Sequence, residues 1–333
     1  MSTIKLLFLT KFYSPHLGGV EKHVSQVSNL LTKSGNAKVT VLTEKYDNRL
    51  SSDEVSAGIR IARFKYPHIR IIGLFLIWFE LLKKIKLVYE SDVIHVHDVF
   101  IWILPLRVIF FWKKMYITFH GWEGRYPIPL SSLLQKKLAY FLTDGNICIG
   151  KYLEQLYGIK STVVTYGSTE INLSLRKLRK NPKIIYIGRL ESDTGLPLLI
   201  GALRSTGYKA TFYGDGPLRA DCTSVGVVKG FVKDVSYALE NCDICFAGGY
   251  LSTIDSMAAS RLTAVITHNF VRKIAFEHEA FSKLITICHS ERQIINFLKH
   301  YSTESFKIKL AHEWAISQTW EKTTKLYLNL WNA

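Results

Sequence analysis

The sequence predicts an α/β protein built from two doubly wound domains, and three observations carry that prediction. Short apolar runs alternate with longer amphipathic ones along most of the chain. The alternation runs through twice, and the basic stretch Arg176-Lys177-Leu178-Arg179-Lys180-Asn181-Pro182 between the two sets is the expected linker. Glycines punctuate the ends of several apolar runs, which is where open α/β sheets place their functional loops.

Residues 5–10 read as a first buried strand, an apolar run too short for the core of a signal peptide. Residues 19–34 then read as a helix and 38–43 as a strand. Residues 93–97 read as a strand, 101–112 as a helix, 115–119 as a strand, 133–142 as a helix, and 145–149 and 161–165 as strands. After the basic stretch come a strand at 183–187, a helix at 196–204, and strands at 210–213, 225–230 and 244–247. A helix at 252–260 and a strand at 264–267 complete the second set. Two such sets imply a cleft between domains, a usual place for a ligand. The tail 310–331, with Trp314, Trp320, Tyr327, Leu328 and Trp331, reads as one long amphipathic segment packed on a domain surface or bridging both domains.

The 333 residues, 48% hydrophobic and 21% charged, suffice for two cores and exclude a disordered chain. The formal charge of +16 favours a polyanionic partner, either nucleic acid, an anionic membrane face or a phosphorylated ligand. No recognition-helix, zinc-finger or RNP-like pattern accompanies the charge, which argues against nucleic acid. The apolar stretches 71–79 and 99–112 are shorter than a membrane span, so no transmembrane helix is expected. The segment 71–86 suits docking on an anionic membrane, while 74–87 reads equally as an ordinary buried helix with a lysine-bearing outer face. Five cysteines without a secretory leader read as reduced thiols of a cytoplasmic protein. Cys242 and Cys245 form a C-x-x-C without a convincing second ligand pair, which favours core cysteines over a zinc or redox site.

Several motifs can carry chemistry. Ser14-Pro15-His16-Leu17-Gly18-Gly19-Val20-Glu21 joins the first strand to the first helix, either as a ligand loop at a helix N-terminus or as a tight turn. His120, in Phe119-His120-Gly121, stands at a strand exit as a donor to a substrate oxygen or as a plain loop histidine. His95 and His97 alternate onto one sheet face, where polar packing competes with a metal site. In the second set, Gly188-Arg189 can fork onto a diphosphate. Gly214-Asp215-Gly216 and Gly230-Phe231-Val232 mark two further strand exits. Gly248-Gly249-Tyr250-Leu251-Ser252 opens a helix as a phosphate cradle would, and Asp255 is either a ligand residue or the far end of a Ser252-x-x-Asp255 capping box.

Taken together and in order, these motifs resemble the retaining glycosyltransferases of family 4, also called glycosyl transferases group 1, which have the GT-B fold. The resemblance spans nearly the whole chain and includes Pro15–Glu21, Asp92-Val93-Ile94-His95-Val96-His97, Phe119-His120-Gly121, Gly188-Arg189-Leu190, Gly214-Asp215-Gly216-Pro217-Leu218, Gly230-Phe231-Val232 and Asp255-Ser256-Met257-Ala258-Ala259. Ser317-Gln318-Thr319-Trp320-Glu321 resembles the start of the family's final helix. It implies two Rossmann-like domains facing a central cleft: an acceptor domain over 1–170 plus the returning helix 314–333, and a donor domain over 171–313. It further implies transfer of a sugar from a UDP- or GDP-linked donor to a glycan or lipid-linked acceptor, with no cofactor and no metal. By resemblance, Gly18 and Gly19 approach the donor phosphate and the acceptor, His120 lies near the donor sugar and Arg189 neutralises the diphosphate. Phe231 and Val232 line the base pocket, Asp255 holds the ribose, and the helix opening at Ser252 caps the diphosphate. Gly188, Thr194, Gly214, Gly216, Tyr250 and Leu251 complete the donor-binding set.

Three departures stand out. Thr194 occupies a position usually basic in the family, Ala247 replaces the first of two spaced carboxylates, and Asp255 shortens the second. The leading expectation is a transferase for a surface polysaccharide or glycolipid. The alternative is a non-catalytic nucleotide-sugar-binding or partner subunit of the same fold.

Overall fold

The computed structural model describes residues 3–65, 69, 72–122 and 126–332. Ile71, the first residue of the segment 71–86 above, lies outside the described residues. The chain forms two units, Met1–Thr165 with Trp320–Ala333, and Tyr166–Thr319.

The N-terminal unit runs β1 (Ile4–Thr10), α1 (Gly19–Lys33), β2 (Ala37–Glu44), β3 (Asp53–Ser56), β4 (Ile59–Phe64), α2 (Gly73–Leu82), α3 (Ile85–Glu90) and β5 (Val93–His97). It continues with α4 (Phe100–Ile109), β6 (Lys114–Phe119), α5 (Leu130–Leu142), β7 (Gly145–Ile149), α6 (Tyr152–Tyr157) and β8 (Val163–Thr165). The strand order is β3-β4-β2-β1-β5-β6-β7-β8, parallel except for β3 against β4. Central parallel strands are covered on both faces and so read as unbroken apolar runs, as in Leu6-Leu7-Phe8-Leu9, all 2% exposed or less. The chain leaves β1 in one direction to β2, and the path from β5 to β8 runs the other way. Right-handed crossovers therefore put α1 on one face and α2, α4 and α5 on the other.

The C-terminal unit runs β9 (Ile184–Ile187), α7 (Leu196–Thr206), β10 (Ala210–Tyr213), α8 (Arg219–Val225), β11 (Gly226–Gly230), α9 (Ser236–Glu240) and β12 (Ile244–Ala247). Next come α10 (Tyr250–Ala258), β13 (Leu262–Ile266), α11 (Phe270–Glu277), β14 (Thr286–Cys288), α12 (Glu291–His300) and α13 (Lys307–Ile316). Its six parallel strands are ordered β11-β10-β9-β12-β13-β14. Tyr186, Phe212 and Phe246 fill one face of this sheet with α7 and α12, while Ile185, Leu239, Cys242 and Cys245 fill another cluster.

Three expectations change. The basic stretch 176–182 is not a linker but part of the C-terminal unit, because Arg179 Nε reaches the buried Asp243 carboxylate at 2.8 Å and Arg176 lies 3.6 Å from it. The boundary falls at Thr165/Tyr166 where 170/171 was expected. The tail is two helices: α13 packs on α10, and α14 (Trp320–Asn332) packs on α1. Ser317 and Gln318 donate their backbone N–H groups back to Trp314 and Ala315, closing α13 and freeing the chain to turn. The returning segment of the N-terminal unit accordingly starts at Trp320, where 314 was expected. All five cysteines are free and buried, and burial raises the Cys242 thiol to about 12, as suits an inert core thiol. Among the described residues no helix is long and apolar enough to cross a membrane.

Candidate active site

In the N-terminal unit the loop after β1 closes on itself. Gly18 is the extended N-cap of α1, and a Cβ there would meet Glu21 Oε2 at 2.2 Å, so only glycine lets the carboxylate fold back. Glu21 in turn lies 2.7 Å from His16 Nδ1. Gly19 starts the helix, whose next turn brings His23 edge-on to His120 at 4.9 Å between ring centroids.

His120 follows β6 and is half-buried. Its backbone N–H faces the Asp98 carboxylate at 3.2 Å, and that carboxylate accepts from Lys136 Nζ at 2.6 Å. Asp98 adopts φ 63°, a left-handed backbone that costs a side-chain-bearing residue roughly 1 kcal/mol or more and turns the carboxylate toward both partners. His120 Nε2 lies 2.8 Å from His97 Nδ1. Burial, then the charge of Lys136, lowers the His120 pKa to about 3, so the imidazole is neutral at pH 7.

Behind this pair sits a buried polar chain. Trp331 Nε1 donates to His95 Nδ1 at 3.0 Å, which leaves the neutral ring's proton on Nε2 to donate to Thr118 Oγ1 at 2.7 Å. Thr118 then donates to Tyr327 at 2.7 Å, and Tyr327 to His23 Nε2 at 2.9 Å. These partners account for His95, and His120 for one nitrogen of His97. Among the described residues no group of His, Cys, Asp and Glu is arranged to hold a metal ion. The polar-packing reading of His95 and His97 is the one the structure carries.

In the C-terminal unit the strand exits converge. Gly214 (φ 148°) lies so close to the turn after β9 that a Cβ would sit 1.9 Å from the Gly188 carbonyl oxygen, and a Cβ on Gly188 would reach the Gly248 Cα at 2.8 Å. Gly216 packs as tightly on the Leu190 carbonyl. Gly188, Gly214, Gly216 and Gly248 therefore draw the ends of β9, β10 and β12 to one edge. Arg189, half-exposed there, pairs with Glu191 and with Asp193 Oδ2, the latter at 2.7 Å. Thr194 is buried and donates to the Glu191 carbonyl, so it adds no charge.

The helix expected from Ser252 begins two residues earlier, at Tyr250, with Gly249 as N-cap. Ser252 Oγ accepts from the Gly249 N–H at 3.1 Å, which takes the capping role away from Asp255. Asp255 is instead 4% exposed and accepts from Thr169 Oγ1 at 2.6 Å. Tyr250 is tied by its hydroxyl to the Ala275 carbonyl and to Glu279, and Leu251 packs against Gly167. Phe231 and Val232, beyond β11, are 61% and 37% exposed, apolar groups left at the edge of the unit. Arg272 was missed by sequence reasoning. It donates to Gly248 O at 3.0 Å and to Ile266 O at 2.6 Å, which brings a second guanidinium to the α10 loop. No local motif announces it, since it comes from α11. Asp98 and Lys136 were missed for the same reason, being 38 residues apart.

Residues 17–165 match the family described as Glycosyltransferase Family 4, from the Gly18-Gly19 loop to the last residue of β8. That match covers the N-terminal unit and not the whole chain. No curated protein sequence matches the chain. Among solved structures, sucrose-phosphate synthase from Thermosynechococcus elongatus is 14% identical with a TM-score of 0.78, over 99% of this chain and 98% of that one. A glycosyltransferase from Rickettsia africae is 15% identical with a TM-score of 0.73, over 99% and 98%. Anabaena HepE, solved in complex with UDP, is 14% identical with a TM-score of 0.70, over 98% and 99%. At these identities the likeness is one of fold. The chain has the GT-B fold, and its N-terminal unit resembles a glycosyltransferase family.

Proposed function

We propose that this protein is a family 4 glycosyltransferase that moves a sugar from a UDP- or GDP-linked donor to a glycan or lipid-linked acceptor, with retention of configuration, in surface polysaccharide or glycolipid synthesis. The observation that carries the reading is the N-terminus of α10. A two-glycine loop opens the helix there without any acidic residue in its first turn, between Arg189 on one strand exit and Arg272 on α11. The positive end of a helix dipole and two guanidiniums suit a departing diphosphate, whose charge grows as the glycosidic bond breaks. The UDP bound to HepE is in keeping with such a donor.

In this reading Gly18 and Gly19 let the α1 loop approach donor phosphate and acceptor, Phe231 and Val232 cover the base, and Asp255 holds the ribose. His120, neutral across the physiological range, donates a hydrogen bond to the sugar and is too weak a base to take the acceptor proton. That proton passes to the departing phosphate oxygen as the acceptor oxygen attacks from the same face. No metal enters this scheme, since the helix dipole and the arginines supply the positive charge.

One observation favours the second reading, a non-catalytic donor-binding subunit: Arg189 is already paired with two carboxylates, and Thr194 and Ala247 leave the site short of a cation and a carboxylate. A donor panel read by product mass, run on wild type and Arg189→Ala, separates the two. Transfer by the wild type that falls about 100-fold or more in a normally melting Arg189→Ala supports catalysis at this site. Nucleotide binding without transfer or hydrolysis across the panel favours the subunit. Equal turnover by both proteins removes Arg189 from the donor site.

A further inference from the structure

The outer surface of the helical layer formed by α2, α4 and α5 is strongly apolar. On α2, Phe75 and Phe79 are 62% and 59% exposed, while the opposite side of the helix buries Ile77 and Leu81. Just past α4, Phe111 and Trp112 are 72% and 61% exposed, and on α5 Leu134 and Phe141 reach 57% and 75%. Hydrogen bonds stitch these helices into one layer. Trp78 Nε1 donates to the Ile101 carbonyl and Arg107 Nε to that of Leu142, each at 2.8 Å. A helix that is apolar on its outer face as well as its inner one exposes a surface that water disfavours, and contiguous patches of this kind mark interaction sites.

The charges set among these rings choose the occupant. Lys83 caps the end of α2, Lys86 follows on α3 and Lys114 opens β6, all three exposed, and the Lys83 ammonium stands 4.6 Å over the Phe79 ring. The nearby acids Glu80 and Glu90 already face Lys83 and Lys86. A second copy of this chain, itself carrying +16, would set lysine against lysine across such a face. An anionic lipid surface answers both features, since it accepts aromatic side chains at the headgroup–acyl boundary and attracts lysines to its phosphates. With no helix able to cross a bilayer among the described residues, the insertion is shallow. The expected alternative for this segment, a buried helix with a lysine-bearing outer face, does not hold for α2: its outer face is phenylalanine, and the lysines follow its end.

We propose that the α2–α4–α5 face docks the N-terminal unit on an anionic membrane surface. The surface stands independently of the transferase reading. The acceptor class that follows, a sugar acceptor carried on a lipid, rests on that reading.

Flotation of the full chain with phosphatidylcholine vesicles, with and without phosphatidylglycerol, tests the face without donor or acceptor. The wild type floats with the anionic vesicles at physiological salt and far less with neutral ones. Replacing Phe111, Trp112 and Phe141 by Ala lowers partitioning more than about tenfold. Changing Lys83 and Lys86 to Ser lowers it about fivefold per lysine, with a gain in neither case on neutral vesicles. These side chains are exposed, so circular dichroism and melting stay as in the wild type. A wild type that remains unbound, or aromatic variants that float as well as it does, overturns the proposal. So does a solution dimer that the aromatic variants dissociate, which would assign the face to a second copy. Loss of transfer with flotation intact would count against the transferase reading alone.

Discussion

At Arg189 one guanidinium meets two carboxylates, and that ratio governs how the site receives an anion. Glu191 and Asp193 are part of the same turn, so a diphosphate arriving at the β9 exit must compete with both for one arginine. The pairs are half-exposed, and exposed pairs of this kind are individually worth well under about 1 kcal/mol. They nevertheless place two negative charges beside the position proposed for a phosphate. Glu191→Gln combined with Asp193→Asn is therefore expected to tighten UDP binding by about fivefold, from relief of repulsion and release of the arginine. Titration calorimetry at low and high salt measures this, and the gain should shrink as salt screens the charges. Unchanged affinity at low salt would show that the carboxylates do not compete with ligand.

The C-terminal helix α14 is the element on which the N-terminal unit's polar interior depends. Tyr327 is fully buried, and burial raises its hydroxyl well above the ordinary phenol range, so it remains an O–H donor between Thr118 and His23. Tyr327→Phe leaves Thr118 and the His23 nitrogen without that partner in a dry site. The expected cost is about 1–3 kcal/mol, the price of a buried polar group left unsatisfied. Urea unfolding of the full chain measures it, and a change under about 0.5 kcal/mol would mean that water replaces the hydroxyl. The sequence shows the helix through Trp320, Tyr327 and Trp331, but not its partners, which lie over two hundred residues away. The same limit explains the rest of what was legible. β1, β5 and β12 announce themselves as apolar runs because they are buried on both faces. The β3–β4 hairpin escapes notice because β3, on the sheet edge, is mostly exposed and polar. At the candidate site the glycines at strand exits were readable, since close backbone approach demands them. The α10 start was misplaced by two residues because Gly249 caps with backbone alone while Ser252 offers a familiar hydroxyl. Arg272, Asp98 and Lys136 were beyond reach because tertiary packing alone brings them in.

Across the whole molecule the histidines are unevenly distributed, and acid should expose the difference. His23, His95 and His97 are buried in the N-terminal unit with half-buried His120 beside them, whereas none of the described histidines of the C-terminal unit is fully buried. Burial, then the neighbouring imidazoles, holds His23, His95 and His97 well below the ordinary imidazole range, and His120 lies at about 3. The unfolded chain binds a proton at each of these positions below about pH 6.5, while the folded unit does not until far lower pH. Their contribution to stability is thus fully present above pH 6.5 and falls as the pH drops toward the folded values. The slope approaches about 1.4 kcal/mol per pH unit for each histidine that stays neutral in the fold. Carboxylates shared by both units titrate mainly below about pH 5, so the window between pH 6.5 and 5 isolates the histidines. Hydrogen exchange in moderate urea, compared at pH 7 and 5 after correction for intrinsic rates, should show β5 and β6 losing protection while β9 and β12 keep theirs. Equal loss in both sheets, or none in β5, would show that the buried imidazoles do not set the acid stability of the N-terminal unit.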